Sequence, residues 1–121
     1  MKKMFSKMMF AFVAMSLLVT TASATWVSVQ ITPGSFAAEI GWELSDASGT
    51  VIASQPYGYY TMSGVPVDTW VNVNPDCYAM TMLDSWGDGW NGGTYQILDS
   101  NGTVYGSGGL GAGLSSATDY V

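Results

Sequence analysis

The chain has 121 residues, with nine Asp or Glu, three Lys or Arg and no His, giving a formal charge of −6. Its only bases are Lys2, Lys3 and Lys7, so everything after them lacks a side-chain cation; such a chain cannot grip phosphates, which excludes nucleic acid and anionic membrane surfaces as partners. The single cysteine, Cys77, excludes a disulfide framework within one chain.

The N-terminus reads as a secretory signal. Lys2, Lys3 and Lys7 give a basic start, Met8 to Val19 an apolar run, and Ala22-Ser23-Ala24 a small-residue cleavage site. The run is too short to span a bilayer comfortably, and no later stretch suits a membrane. No Cys lies near the cut, which argues against a lipid anchor. Processing is expected to leave a chain that starts at Thr25 with formal charge −9, secreted and soluble or held outside the cell by a partner. Residues 25–121 make one domain, large enough to bury most of its apolar surface. Its carboxylates must be balanced by backbone amides, bound metal ions or water.

Beyond the signal no helical periodicity is sustained. Short alternating runs are separated by Gly, Pro, Asn and Asp, the pattern of an all-β domain. Trp26 to Thr32 sets Val27, Val29 and Ile31 against Ser28 and Gln30. Pro33-Gly34 ends it. Ala37 to Ser45 places Ile40, Trp42 and Leu44 on one face and Glu39, Gly41 and Glu43 on the other. Asp46-Ala47-Ser48-Gly49 is a hairpin turn, with Asp capping through its side chain and Gly left-handed. Thr50 to Gln55 returns. Tyr59 to Met62 is expected as a further short strand, and Val65 to Val73 as another. Cys77 to Leu83 follows, with Cys77 expected as a buried strand thiol and a bridge to another chain as the alternative. Gly93 to Leu98, Thr103 to Gly106 and Thr118 to Val121 complete the chain. Trp42 to Val51 is echoed by Tyr95 to Val104, both hairpins with an Asp-x-x-Gly-Thr-Val turn. Eight or so such strands imply an antiparallel two-sheet β-sandwich, jelly-roll or similar, with a closed barrel as the alternative.

The stretch Asp84-Ser85-Trp86-Gly87-Asp88-Gly89-Trp90-Asn91-Gly92-Gly93 concentrates carboxylates, indoles and glycines in one loop. Two carboxylates four apart, with glycines that let carbonyls turn inward, are oxygen donors for a hard cation, most plausibly Ca2+. A tight loop whose tryptophans plug the core is the alternative. The loop is not an EF-hand: Asp84, Asp88 and Gly89 match positions one, five and six, but Trp86 and Tyr95 fall where carboxylates are required. Ligands must therefore come from elsewhere. Glu39 is the first candidate, ahead of Asp99 and Asp46, which are occupied in turns. The expected metal set is Glu39, Asp84, Asp88 and the Trp86 carbonyl.

The stretch from Cys77 through Tyr78, Met80 and Met82 to the loop, then Tyr95 and Asp99-x-x-Gly102-Thr103-Val104, resembles a domain of secreted proteins from bacteria and microbial eukaryotes. That domain carries a D-S-Y/W-G-D-G-W-N-G signature and an upstream E-x-x-W strand, here Glu39-Ile40-Gly41-Trp42. The resemblance covers nearly all of residues 26–107. It implies a CUB-like β-sandwich serving as an accessory module of surface proteins and exoenzymes, some of which bind Ca2+ through an acidic loop. Relatives are expected to carry a partner cysteine, which this chain lacks.

Tyr57, Tyr59, Tyr60, Trp86 and Trp90, with Asn91 beside them, are candidates for a sugar-stacking ligand surface; packing in core or loop is the alternative. Catalysis has little support. There is no His to act as base, and no Lys or Arg beyond the signal to form a Schiff base or clamp an oxyanion. An Asp84–Asp88 glycosidase pair would need a deep cleft and one raised pKa. Asn101-Gly102-Thr103 is a glycosylation sequon only in a eukaryotic host. The expectation is a secreted, calcium-stabilised binding module for an extracellular protein. A carbohydrate-binding module is the alternative, and a hydrolase comes third.

Overall fold

A computed structural model describes residues 24–121, and the expected signal, residues 1–24, lies outside the described residues except for Ala24. The regular structure of the described chain is strand, β1 (Thr25–Thr32), β2 (Ile40–Ser45), β3 (Val51–Gln55), β4 (Val67–Val73), β5 (Ala79–Asp84), β6 (Thr94–Asp99), β7 (Val104–Gly108) and β8 (Ser116–Tyr120), apart from one short 3-10 turn, Ala37–Glu39. They form two four-stranded sheets, in orders β4-β1-β6-β7 and β3-β2-β5-β8. Every pairing is antiparallel. The fold is an all-β sandwich.

Alternation decides which side chains face inward. From the first sheet come Val27, Val29, Ile31, Tyr95 and Ile97, and from the second Ile40, Trp42, Leu44, Met80 and Met82, all buried. Trp42 and Tyr95 keep their polar tips satisfied: the Trp42 Nε1 donates to Tyr60 Oη at 2.7 Å, and Tyr95 Oη to Asp119 Oδ2 at 2.7 Å. The echoed segments form one hairpin in each sheet, β2–β3 and β6–β7. Their register shifts at the same point of the motif, Leu44/Ser45 in one and Ile97/Leu98 in the other. At one end of the sandwich the start of β1 and the connection from β4 to β5 line an apolar cavity of about 320 Å³ that reaches Val27, Leu44 and Ile97. The other end is closed by the glycine-rich loop.

Three local expectations are corrected. Residues 37–39 are a helical turn rather than strand: Glu39 N donates to Phe36 O at 3.1 Å, and strand pairing begins at Ile40. Alanines favour strands weakly. Tyr59–Met62 is not strand either. The segment lies between left-handed Gly58 and Gly64, and it is held by the buried Tyr60 ring instead of a ladder. Cys77 is exposed and precedes β5; its amide donates to Asp76 Oδ1 at 2.7 Å, a side-chain bond in place of a strand partner.

Candidate metal centre

The core-facing row of β5 runs Met80, Met82, Asp84. Parity thus sends a carboxylate to the position where a third apolar side chain would sit. Asp84 is 3% exposed. Its strand partner is Ile40, and the pairing continues one step further through Ser85 N to Glu39 O at 3.1 Å. That step fixes Glu39 at the mouth of the same strand pair. The helical turn keeps Glu39 out of the strand just before β2 begins, and its carboxylate meets the loop at Asn91 Nδ2, 3.4 Å away.

Asp88 is brought back by glycine geometry. Gly87 and Gly89 have φ of 75° and 84°, conformations that L side chains adopt at a cost. The reversal lets Asp88 N donate to Asp84 Oδ2 at 2.8 Å. Gly89 also approaches the segment before β8 so closely that a Cβ would stand 2.3 Å from Gly111 O. Gly89 N donates to Leu114 O, Trp90 N to Leu110 O and Asp84 N to Ser115 O, pinning loop to loop. The buried Trp90 completes the closure with its Nε1 donating to Leu83 O at 2.9 Å.

Glu39, Asp84 and Asp88 each offer an oxygen, and these atoms lie within 4.8 Å of one another. Their surroundings grade from buried Asp84 through half-buried Glu39 to exposed Asp88. Asp84 Oδ1 is buried and has no hydrogen-bond partner among the described residues. Asn91 is the one described non-glycine residue with positive φ, at 53°. Its Nδ2 reaches Glu39 Oε2 at 3.4 Å and Gly89 O at 3.3 Å. Glu39 titrates above its ordinary range: partial burial raises it most, then the negative charges of Asp88 and Asp84, then a hydrogen bond with Asp88. No base lies among the described residues to offset this charge. Two oxygens on one Ca2+ are at most about 5 Å apart, given bonds of roughly 2.3–2.6 Å, so the spread of the three carboxylates is of the size that one such ion spans.

The expected ligand-facing residues are dispersed. Tyr60 and Trp90 are core residues, which removes them from any surface platform. Tyr59 is exposed but packs edge-on against Tyr60, with ring centroids 5.1 Å apart. Trp86 projects its ring into solvent, 78% exposed. No loop hydrogen bond between backbone groups of the described residues uses its carbonyl. Asn91 faces Glu39 rather than open surface. Asp46 and Asp99 are held in their turns, as their hairpin positions require. Comparison with family models, with curated proteins and with solved structures finds no match.

Proposed function

We propose that this chain is a secreted binding module whose β5–β6 loop is locked by one Ca2+ held by Glu39, Asp84 and Asp88. The observation that carries the ion is the buried Asp84 Oδ1 without a donor, beside two more carboxylates, with no base among the described residues. A buried unpaired carboxylate oxygen is costly, and a hard cation removes that cost. The three carboxylates supply part of the six to eight oxygens Ca2+ takes. The exposed side at Asp88 leaves room for water or a partner's oxygen.

The role as a module for extracellular adhesion or protein interaction rests on the signal-like N-terminus and on the resemblance to secreted accessory domains. Hydrolysis is disfavoured by geometry. Asp84 spends one oxygen on the Asp88 amide and is buried, which closes it to a substrate.

Thermal melts in excess EDTA and in millimolar Ca2+, at equal ionic strength, test the ion. Ca2+ at a hundred times its dissociation constant adds about 2.7 kcal/mol, and Tm moves about 4–8 °C per kcal/mol for a domain of this size. Asp84→Asn and Asp88→Asn should each remove most of that gain, whereas the exposed Glu43→Gln should keep it. Identical wild-type melts with no calorimetric Ca2+ heat would leave the loop as a plain structural plug. The mass of protein recovered from the medium checks export, with Thr25 as the expected first residue.

A further inference from the structure

The outward face of the first sheet carries an aromatic platform. In β1 the residues alternating with Val27, Val29 and Ile31 are Trp26, Ser28 and Gln30; in β4 they are Asp68, Trp70 and Asn72. Register sets Trp26 beside Asn72, Ser28 beside Trp70 and Gln30 beside Asp68. Trp26 and Trp70 are therefore diagonal neighbours on one face, about 7–8 Å apart. They are 59% and 49% exposed. Ser28, between them on this outward face, is only 1% exposed. A serine on a solvent face is covered only if large neighbours lean across it. Its flanking large side chains are the two indoles and Leu98, its partner on β6. Both indoles thus keep about half of their surface open while the backbone between them is covered.

Polar groups on the same face are already oriented. Ser28 Oγ and Gln30 Nε2 both donate to Asp68 Oδ1, at 2.8 and 3.1 Å. Neither uses Oδ2, which stays available to a hydroxyl donor. Gln96 pairs with Gln30 across β1 and β6, adding a second amide to the row. The face has one carboxylate and no cation, on a described chain that is acidic throughout. An anionic partner is repelled and has nothing to pair with, while a neutral hydroxyl-rich partner finds acceptors and amides.

We propose that this face binds a neutral β-linked glucan chain, with Trp26 and Trp70 each stacking on one pyranose face and Asp68 accepting from sugar hydroxyls. The equatorial hydroxyls of β-glucose leave flat apolar ring faces that match exposed indoles, and separate pyranoses of one chain can each meet one of two indoles on neighbouring strands. The assignment adds a ligand to the binding-module reading and does not depend on the ion.

Calorimetric titration with cellohexaose, laminarihexaose and chitohexaose, with and without EDTA, tests it on the purified full chain. Binding of at least one glucan hexaose, retained in EDTA, is expected. Trp26→Ala and Trp70→Ala should each weaken it at least ten-fold, Trp26→Phe less, and Trp86→Ala not at all. Asp68→Asn should weaken it while leaving the melting curve in place. No heat with either glucan hexaose overturns the proposal, as does binding lost in Trp86→Ala but kept in Trp26→Ala. Loss in EDTA alone would move the ligand to the loop and so overturn the sheet-face site while leaving the ion standing.

Discussion

Asp46 and Asp99 make the same turn in opposite sheets. Asp46 Oδ1 accepts the amides of Ser48 and Thr50, both at 3.0 Å, and Asp99 Oδ1 those of Asn101 and Thr103 at 2.9 and 3.0 Å. Hydrogen bonding to the ionised form holds both below the ordinary 3.8: the Ser48 side chain leads for Asp46, the Thr103 amide for Asp99. Their contribution to stability is whole above that value and is lost as pH falls through the depressed folded pKa. Urea unfolding followed down in pH should show this loss below 3.8. Asp46→Asn and Asp99→Asn should each flatten it. Unchanged slopes would mean that the turns contribute nothing through charge.

Tyr60 predicts behaviour in alkali. Burial, the dominant cause, pushes its phenol from 10.0 up to about 12. A raised folded pKa gives stability that is present below the unfolded value and lost as pH climbs toward the folded one. Wild type should therefore weaken between pH 10 and about 12. Tyr60→Phe should show a shallower fall. At neutral pH the same change strands the buried Trp42 Nε1 and should cost about 1–3 kcal/mol. An equal alkaline slope in both proteins would remove Tyr60 from the account.

Gly89 and Gly102 separate backbone strain from collision. Both are left-handed, with φ of 84° and 83°, but a Cβ meets Gly111 O at 2.3 Å in the first and nothing within 4 Å in the second. Gly102→Ala should cost about 1–2 kcal/mol from conformation alone. Gly89→Ala should cost clearly more and reduce any Ca2+ response, since the loop cannot seat against residues 110–115. Equal losses in chemical denaturation would show that the two loops yield to each other.

Cys77 is exposed, so a thiol reagent such as Ellman's should label the native protein at the rate of a free thiol, without denaturant. Cys77→Ser should shift stability by no more than about 0.5 kcal/mol. Labelling that waits for unfolding would contradict the exposed position.

Much of the sandwich is legible in sequence because period-two alternation reports burial directly: Val27, Val29 and Ile31, or Met80 and Met82, face the core as their parity requires. Turn chemistry is equally readable, since Asp-x-x-Gly encodes both the cap and the left-handed residue. What alternation lacks is any signal for loops. Tyr60 sits in a segment without period, and only the approach of Trp42 from a distant strand makes it a core residue. The gathering of Glu39 with Asp84 and Asp88 needs the β2–β5 register, which no local pattern encodes. Trp26 and Trp70 had a usable signal, being out of phase with the buried valines, but their adjacency depends on β1 pairing with β4.

The strand orders divide the molecule in an unexpected place. Strands β1–β4 pair among themselves as β1–β4 and β2–β3, and β5–β8 as β6–β7 and β5–β8; the two groups meet only through β1–β6 and β2–β5. Each half of the chain thus owns half of both sheets and the whole of neither. Alone, each half is a pair of two-stranded ribbons, which are marginal in water. A cut at Pro75 should yield two unfolded fragments that complement one another on mixing. By the same logic, two intact chains can trade halves across the 74–78 connection, forming a dimer whose contacts are those of the monomer.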